Sequence, residues 1–222
     1  PDDICIRLTI HNRGPEAATI HLLPQLWFRN TWSWGKIVKE CTSKPSIELE
    51  HDRLARARDM KSCEYHFAYE GKATPLFTEN ETNALRHCGQ TNGNPYAKDA
   101  FHEYVVHGNK EAVNPAKTGT KFAPHYVLEI EAGQSQTVRL RLAAKEEAPA
   151  EAFAEFDDIF AQRRREQAGH RLFDVVDEVV DDVVVADFDA VALGRGRRFL
   201  VGADGEADDR GIEAFSERHV GF

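Results

Sequence analysis

The chain has 222 residues, 41% of them apolar, and a formal net charge of −9 with a pI near 5.6. That length builds one large domain, or one domain with an appendage, and the apolar share suffices for a core. The acidic balance offers no basic field to phosphates and excludes a nucleic-acid partner, and no apolar run approaches the ~20 residues that cross a bilayer. The chain begins at Pro1 without an initiator Met and shows no signal peptide, so it reads as a cytoplasmic piece of something longer, with an upstream signal left open.

Ile4, Ile6, Leu8 and Ile10 alternate with Arg7, Thr9 and His11, the period of two that marks a half-buried strand. Asn12-Arg13-Gly14-Pro15 is a turn signal, and Ala18 to Leu23 reads as the returning strand of a hairpin. Pro24 cannot donate to a ladder, so Leu26 to Trp34 is expected to leave the sheet as a structured loop. Shorter strands are expected at Ser46 to Glu50 and Cys63 to Tyr69. From about Thr74 to Thr120 the chain is polar and rich in Asn, Gly and Pro, and so long an irregular stretch is usually functional. A last hairpin places Tyr126, Leu128 and Ile130 on one face, turns at Ala132-Gly133-Gln134-Ser135, and returns with Val138, Leu140 and Leu142. Residues 1–144 therefore read as an antiparallel β-sandwich, mainly β in class.

Residues 145–169 read as a linker and helix. Phe153, Phe156, Ile159 and Phe160 repeat at helical spacing, and Arg163 to Arg165 suit the negative end of the helix dipole. The stripe must pack either on the sandwich or on a following domain. Residues 170–222 change vocabulary abruptly to Val, Asp, Ala, Gly and Arg, and no clean periodicity of either kind emerges. Two readings of this irregular tail stand together: a poorly ordered acidic tail, or the product of a frameshift in a GC-rich gene.

Cys5, Cys41, Cys63 and Cys88 form no CxxC pair, which argues against structural zinc and for small buried hydrophobes in a reducing compartment. His51, His66, His87, His102, His107 and His125 show no ligand spacing on an expected helix, so neither a metal nor a cofactor is assigned. Asn114 to Lys121 lacks the spacing of a P-loop.

Two segments carry unusual chemistry. Leu26 to Gly35 holds Trp27, Trp32 and Trp34, whose faces can stack on sugar rings, beside Arg29 and Asn30, which can bond hydroxyls; aromatic rings equally fill cores and interfaces. Leu76 to Asn83 gathers Glu79, Asn80, Glu81 and Asn83. Carboxylates that cleave glycosides stand ~5–10 Å apart across the scissile bond. Glu79 and Glu81 lie two residues apart on one extended segment and point the same way, so they suit hydrogen bonding to a ligand or neighbouring domain better than catalysis. The Asn80-Glu81-Thr82 sequon is set aside.

The blocks His21-Leu22-Leu23-Pro24 through Leu26 to Gly35, Leu76 to Asn83, and Tyr104-Val105-Val106-His107-Gly108 through Ala112 to Pro115, Gly119-Thr120-Lys121 and His125-Tyr126 resemble bacterial glucosidases related to glycoside hydrolase family 63 and the mannosylglycerate hydrolases. The resemblance covers roughly Ile4 to Gln167. It implies an N-terminal β-sandwich, a helical linker matching Phe153 to Arg165, and an (α/α)6 barrel carrying the acid and base of an inverting reaction. This chain leaves the pattern where the barrel begins, so no catalytic residue is assigned to it. The expected role is a non-catalytic scaffold of a glycosidase that lines a sugar pocket in its partner barrel. The alternatives are an independent carbohydrate-binding module and a self-sufficient enzyme using Glu79 and Glu81.

Overall fold

The computed structural model describes residues 3–34 and 43–167, together with the backbone of 179–180, 183–192 and 199–203. Its strands are β1 (Asp3–Asn12), β2 (Ala18–Phe28), β3 (Ser46–His51), β4 (Leu54–Arg58), β5 (Glu64–Tyr69), β6 (Thr74–Thr78), β7 (Thr118–Gly119), β8 (Lys121–Ile130), β9 (Ser135–Ala144), β10 (Val179–Val180), β11 (Val183–Ala192) and β12 (Phe199–Ala203). The helices are α1 (Ala84–Cys88), α2 (Ala100–Val105) and α3 (Phe156–Gln167), with 3-10 turns at Trp32–Trp34 and Lys110–Ala112. Among the described residues no helix is long and apolar enough to cross a membrane.

Two antiparallel sheets stack. The first runs β12-β1-β9-β5-β4-β3-β7, the second β10-β11-β2-β8-β6. Their inner faces share one core, to which Leu8, Ile10, Ile20, Leu22, Phe67, Phe77, Phe122, Tyr126 and Leu140 contribute. Phe122 sits at its centre, with the rings of Phe67, Tyr69 and Phe77 within 6 Å centroid to centroid. The β-sandwich expected from alternation is therefore the fold. Of the expected tail, the described backbone is extended: β11 runs beside β2 and β12 beside β1, and the remainder of 170–222 lies outside the described residues.

Both expected hairpins are corrected. β1 pairs with β9, and β2 pairs with β8, so each tight turn carries the chain from one sheet to the other. An amphipathic strand can bury its apolar face against a sequence neighbour either edge to edge or face to face, and alternation does not distinguish the two. The turns themselves stand where expected and zip together. Asn12 donates to the carbonyls of Glu16 and Ile130 at 2.8 Å each and accepts from the Gly14 amide at 2.9 Å, while the Gly133 amide donates to the Asn12 carbonyl. Gly133 takes φ 71°, which a side chain would resist.

Pro24 does not end β2, a second correction. The β2·β8 pairing lapses between Leu22–Tyr126 and Leu26–Phe122, and in that constant register Pro24 falls opposite Pro124. The two residues that cannot donate meet at one gap, and the ladder resumes beyond it. Leu26 and Phe28 return to the core.

The polar stretch from Thr74 to Thr120 is not a loop throughout. It supplies β6, both short helices and β7, and it folds over the outer face of the second sheet, where Phe101 and Val105 pack on Leu23, Leu76 and Ala123. The helical stripe also finds its surface: Phe156 is fully buried, and Arg7 and Arg139, on the outer face of the first sheet, stack on Phe156, with Arg7 also over Phe160 and Arg139 over Phe153. Arg141, almost buried, joins Asp3 and the Ala152 carbonyl across the same junction.

Candidate functional site

At one end of the sandwich the chain passes from β7 in the first sheet to β8 in the second, and this corner organises the site. A Cβ on Gly119 would lie 2.2 Å from the Thr78 carbonyl oxygen, so only glycine allows the approach. The crossing is pinned by hydrogen bonds from the Thr120 amide to Thr78 and from the Phe28 amide to Thr120. Thr120 is thereby delivered beside the segment that leaves β6.

Its hydroxyl donates to Glu79 Oε2 at 2.6 Å and accepts from the Asn80 amide at 2.8 Å. Lys44 Nζ reaches Glu79 Oε2 and Glu81 Oε1, both at 2.9 Å. Trp32 Nε1 donates to the same Glu81 oxygen at 2.8 Å, and Lys44 stands 5.4 Å from the centre of the Trp32 ring. Asn94 adds a longer bond to Glu79. Burial opposes the charge on Lys44, but the hydrogen bonds it donates to both carboxylates outweigh it and its pKa is raised. Burial likewise opposes the charge on Glu81, and the Trp32 and Lys44 donors overcome it, so this carboxyl lies below the usual range. Glu79 and Glu81 converge, as their spacing predicts, on one ammonium group. They do not flank an open space. Glu81, so held, remains ionised and does not serve as a proton donor near neutrality.

Of the expected site residues, the structure brings together Trp32, Glu79, Asn80 and Glu81. Asn80 is fixed by its own Nδ2, which donates to the Phe28 carbonyl at 2.9 Å, so the sequon amide is engaged inside the fold. Asn30 and Asn83 serve local structure: Asn30 accepts from Ser33 at the start of the 3-10 turn, and Asn83 caps α1 through the Arg86 amide and bonds Asp99. Trp27 is half-buried near the end of β2, paired in register with Lys121, and Arg29 is exposed. Trp34 closes the turn, and its side chain lies outside the described residues, as do Gly35 and Cys41. Cys63 and Cys88 are exposed and Cys5 half-buried, which corrects the expectation of buried cysteines. Lys44 and Asn94 carry no sequence signal of their own, because a lone lysine before a strand reads as a solvated charge, and Thr120 stands out only within the Gly119-Thr120-Lys121 block.

Among the described residues, no group of three or more His, Cys, Asp and Glu side chains is placed to hold a metal. A second polar cluster lies on the outer face of the second sheet. His21 Nδ1 and His125 Nε2 are 2.8 Å apart with the rings stacked at 5.0 Å. Tyr104 meets His125 edge-on, and Lys110 Nζ lies 3.6 Å from the centre of the Tyr104 ring.

Compared with known proteins, the chain matches one from yeast. It is 33% identical over 168 residues to Uncharacterized protein YMR196W of Saccharomyces cerevisiae, an alignment covering 64% of this chain and 15% of the yeast protein. The segment thus corresponds to a small part of a much longer relative. No family profile and no solved structure matches it.

Proposed function

We propose that this chain is the non-catalytic β-sandwich of a cytoplasmic glycoside hydrolase and supports one wall of a sugar pocket in an (α/α)6 barrel of the parent polypeptide. The observation that carries the reading is the corner cluster. Its two carboxylates share Lys44 and are braced by Trp32 and Thr120, an arrangement that presents a polar and aromatic surface rather than an acid and a base set on either side of a cleft. The resemblance of the Leu26 to Gly35 and Leu76 to Asn83 blocks to family 63 glucosidases supports the substrate class. A relative several times longer than the segment suits a module working within a larger chain.

The test compares the isolated chain with the uninterrupted polypeptide that contains it. The isolated chain is expected to hydrolyse no aryl glycoside, whereas the full polypeptide turns one over. In the latter, Trp32→Ala or Glu81→Gln is expected to lower kcat/KM by about tenfold, roughly 1.4 kcal/mol of transition-state stabilisation. A full polypeptide inert on glycosides, or one indifferent to both substitutions, overturns the reading. Heat released when glycans are titrated into the isolated chain, and lost in Trp32→Ala, would replace it with an independent carbohydrate-binding module.

A further inference from the structure

We propose that the His21–His125 pair is an acid-sensitive latch, which holds residues 97–113 over the outer face of the second sheet and releases them when both rings are protonated. The register makes the pair: His21 stands opposite Val127 and His125 lies one outward position away, so the two rings are diagonal neighbours on adjacent strands. Their 2.8 Å contact needs one nitrogen to donate and the other to accept. One added proton keeps that arrangement. A second sets N–H against N–H at hydrogen-bond distance and places two like charges in rings 5.0 Å apart.

Burial and the neighbouring cations disfavour that second charge on His125. His125 is 5% exposed, and the cover seals it with the Tyr104 edge. Lys110, on the same cover, adds a third cation whose field acts on both rings. From β6, uncharged Thr74 is the register partner of His125. On the shared face of β8, Lys121 is drawn over Phe101, and Glu129 stands opposite Thr19. From the second flank of β2, β11 meets His21 at Val191 and carries Asp189, opposite Leu23, one outward position further along. Burial, then the neighbouring ring and Lys110, hold His125 down to about 4, and burial and Lys110 lower His21 as well. The latch is therefore neutral and closed near pH 7. Acid drives the rings apart, and the element free to move is the cover that carries Lys110 and Tyr104. Its departure bares Leu23, Leu76 and Ala123.

Backbone hydrogen exchange tests this, corrected for the intrinsic pH dependence of exchange, with the β1 and β9 amides as reference. Between pH 7 and about pH 4, protection of residues 97–113 is expected to fall about tenfold or more while the reference holds. The His21 and His125 imidazole signals should titrate together, below the ordinary histidine range. In His21→Asn/His125→Gln the cover should be equally protected at both pH values. Should that variant not fold, Lys110→Met on the intact pair is expected to shift the release to lower pH, because with a repelling charge gone the closed cover tolerates protonated rings better. A cover equally protected in acid, a cover and reference that loosen together, or a release unmoved by Lys110→Met overturns the latch.

Discussion

On the outer face of the first sheet, Glu48 faces Arg56, Glu64 faces Arg58 and Lys145, Glu50 faces His66, and Arg139 bonds both Glu70 and Asp157. The outer face of the second sheet is covered instead by Phe101 and Val105 on Leu23, Leu76 and Ala123, with two neutral imidazoles beside them. Each sheet faces the same core on its inner side, so the difference lies wholly in what the alternate residues of each strand are asked to hold. The first sheet takes α3 onto charged arginines whose planar heads also stack on rings. That junction tolerates water at its rim. The second takes an apolar cover that excludes it. Cation–aromatic and ionic contacts weaken with salt, whereas apolar burial does not, and the two faces should therefore fail under different conditions.

The largest effect is expected on the second face. Phe101→Ala removes a ring that is 4% exposed, and urea unfolding should show a loss of about 3 kcal/mol with an unchanged slope. A loss below about 1 kcal/mol would mean that the cover contributes little and that the two faces differ in appearance only. At the corner joining the sheets, Gly119→Ala should cost about 2 kcal/mol, because the Thr78 carbonyl must give way. The same substitution should displace Thr120 from Glu79, and Gly119→Ala unfolding at the wild-type urea midpoint would show the corner to be pliable. On the first face, Arg139→Ala is expected to cost about 1–2 kcal/mol, through the Glu70 and Asp157 pairs and the Phe153 and Phe156 rings. In 1 M salt that cost should shrink by roughly half while the cost of Phe101→Ala stays level. Equal salt responses would break the comparison.

How far the sequence foretells this organisation depends on how local each signal is. The alternation of Ile4 to Ile10 and of Val138 to Leu142 is contained in its own segment, and both strands form. Their mutual pairing joins residues well over a hundred positions apart, which no local period encodes, and alternation alone points each strand to its nearest neighbour in sequence. The Phe153–Phe160 stripe announces that α3 must be buried, but Arg7 and Arg139, the surface it finds, look like ordinary outward charges on a strand. At the corner, composition singles out Trp32, Glu79 and Glu81. The Lys44 they share and the bracing Thr120 arrive through topology. His21 and His125 meet only because of the β2·β8 register, and their spacing along the chain is silent.

The smallest expected effects separate the faces by pH. His125 is held at about 4 in the fold against 6.5 when free, so the unfolded chain takes up its proton first. Stability from the second face is therefore complete above about pH 6.5 and declines as pH falls toward 4, by on the order of 1 kcal/mol once solvent screening is allowed for. Glu64 behaves in the same sense but lower. Hydrogen bonds from Lys145 and Arg58 hold it at about 2 against 4.5, so its contribution is present above about pH 4.5 and is lost as pH falls toward 2. Urea midpoints measured from pH 7 to pH 2 should then descend in two steps, with His125→Gln flattening the upper one and Glu64→Gln, more weakly, the lower. Glu64 is half-buried on the outer face of the sheet, and its partners Arg58 and Lys145 are exposed to screening, so the lower step should also fade in high salt, while the upper, set first by burial, should persist. If Glu64→Gln alters the upper step, acid acts on the molecule as a whole, and the independence of the two faces is lost.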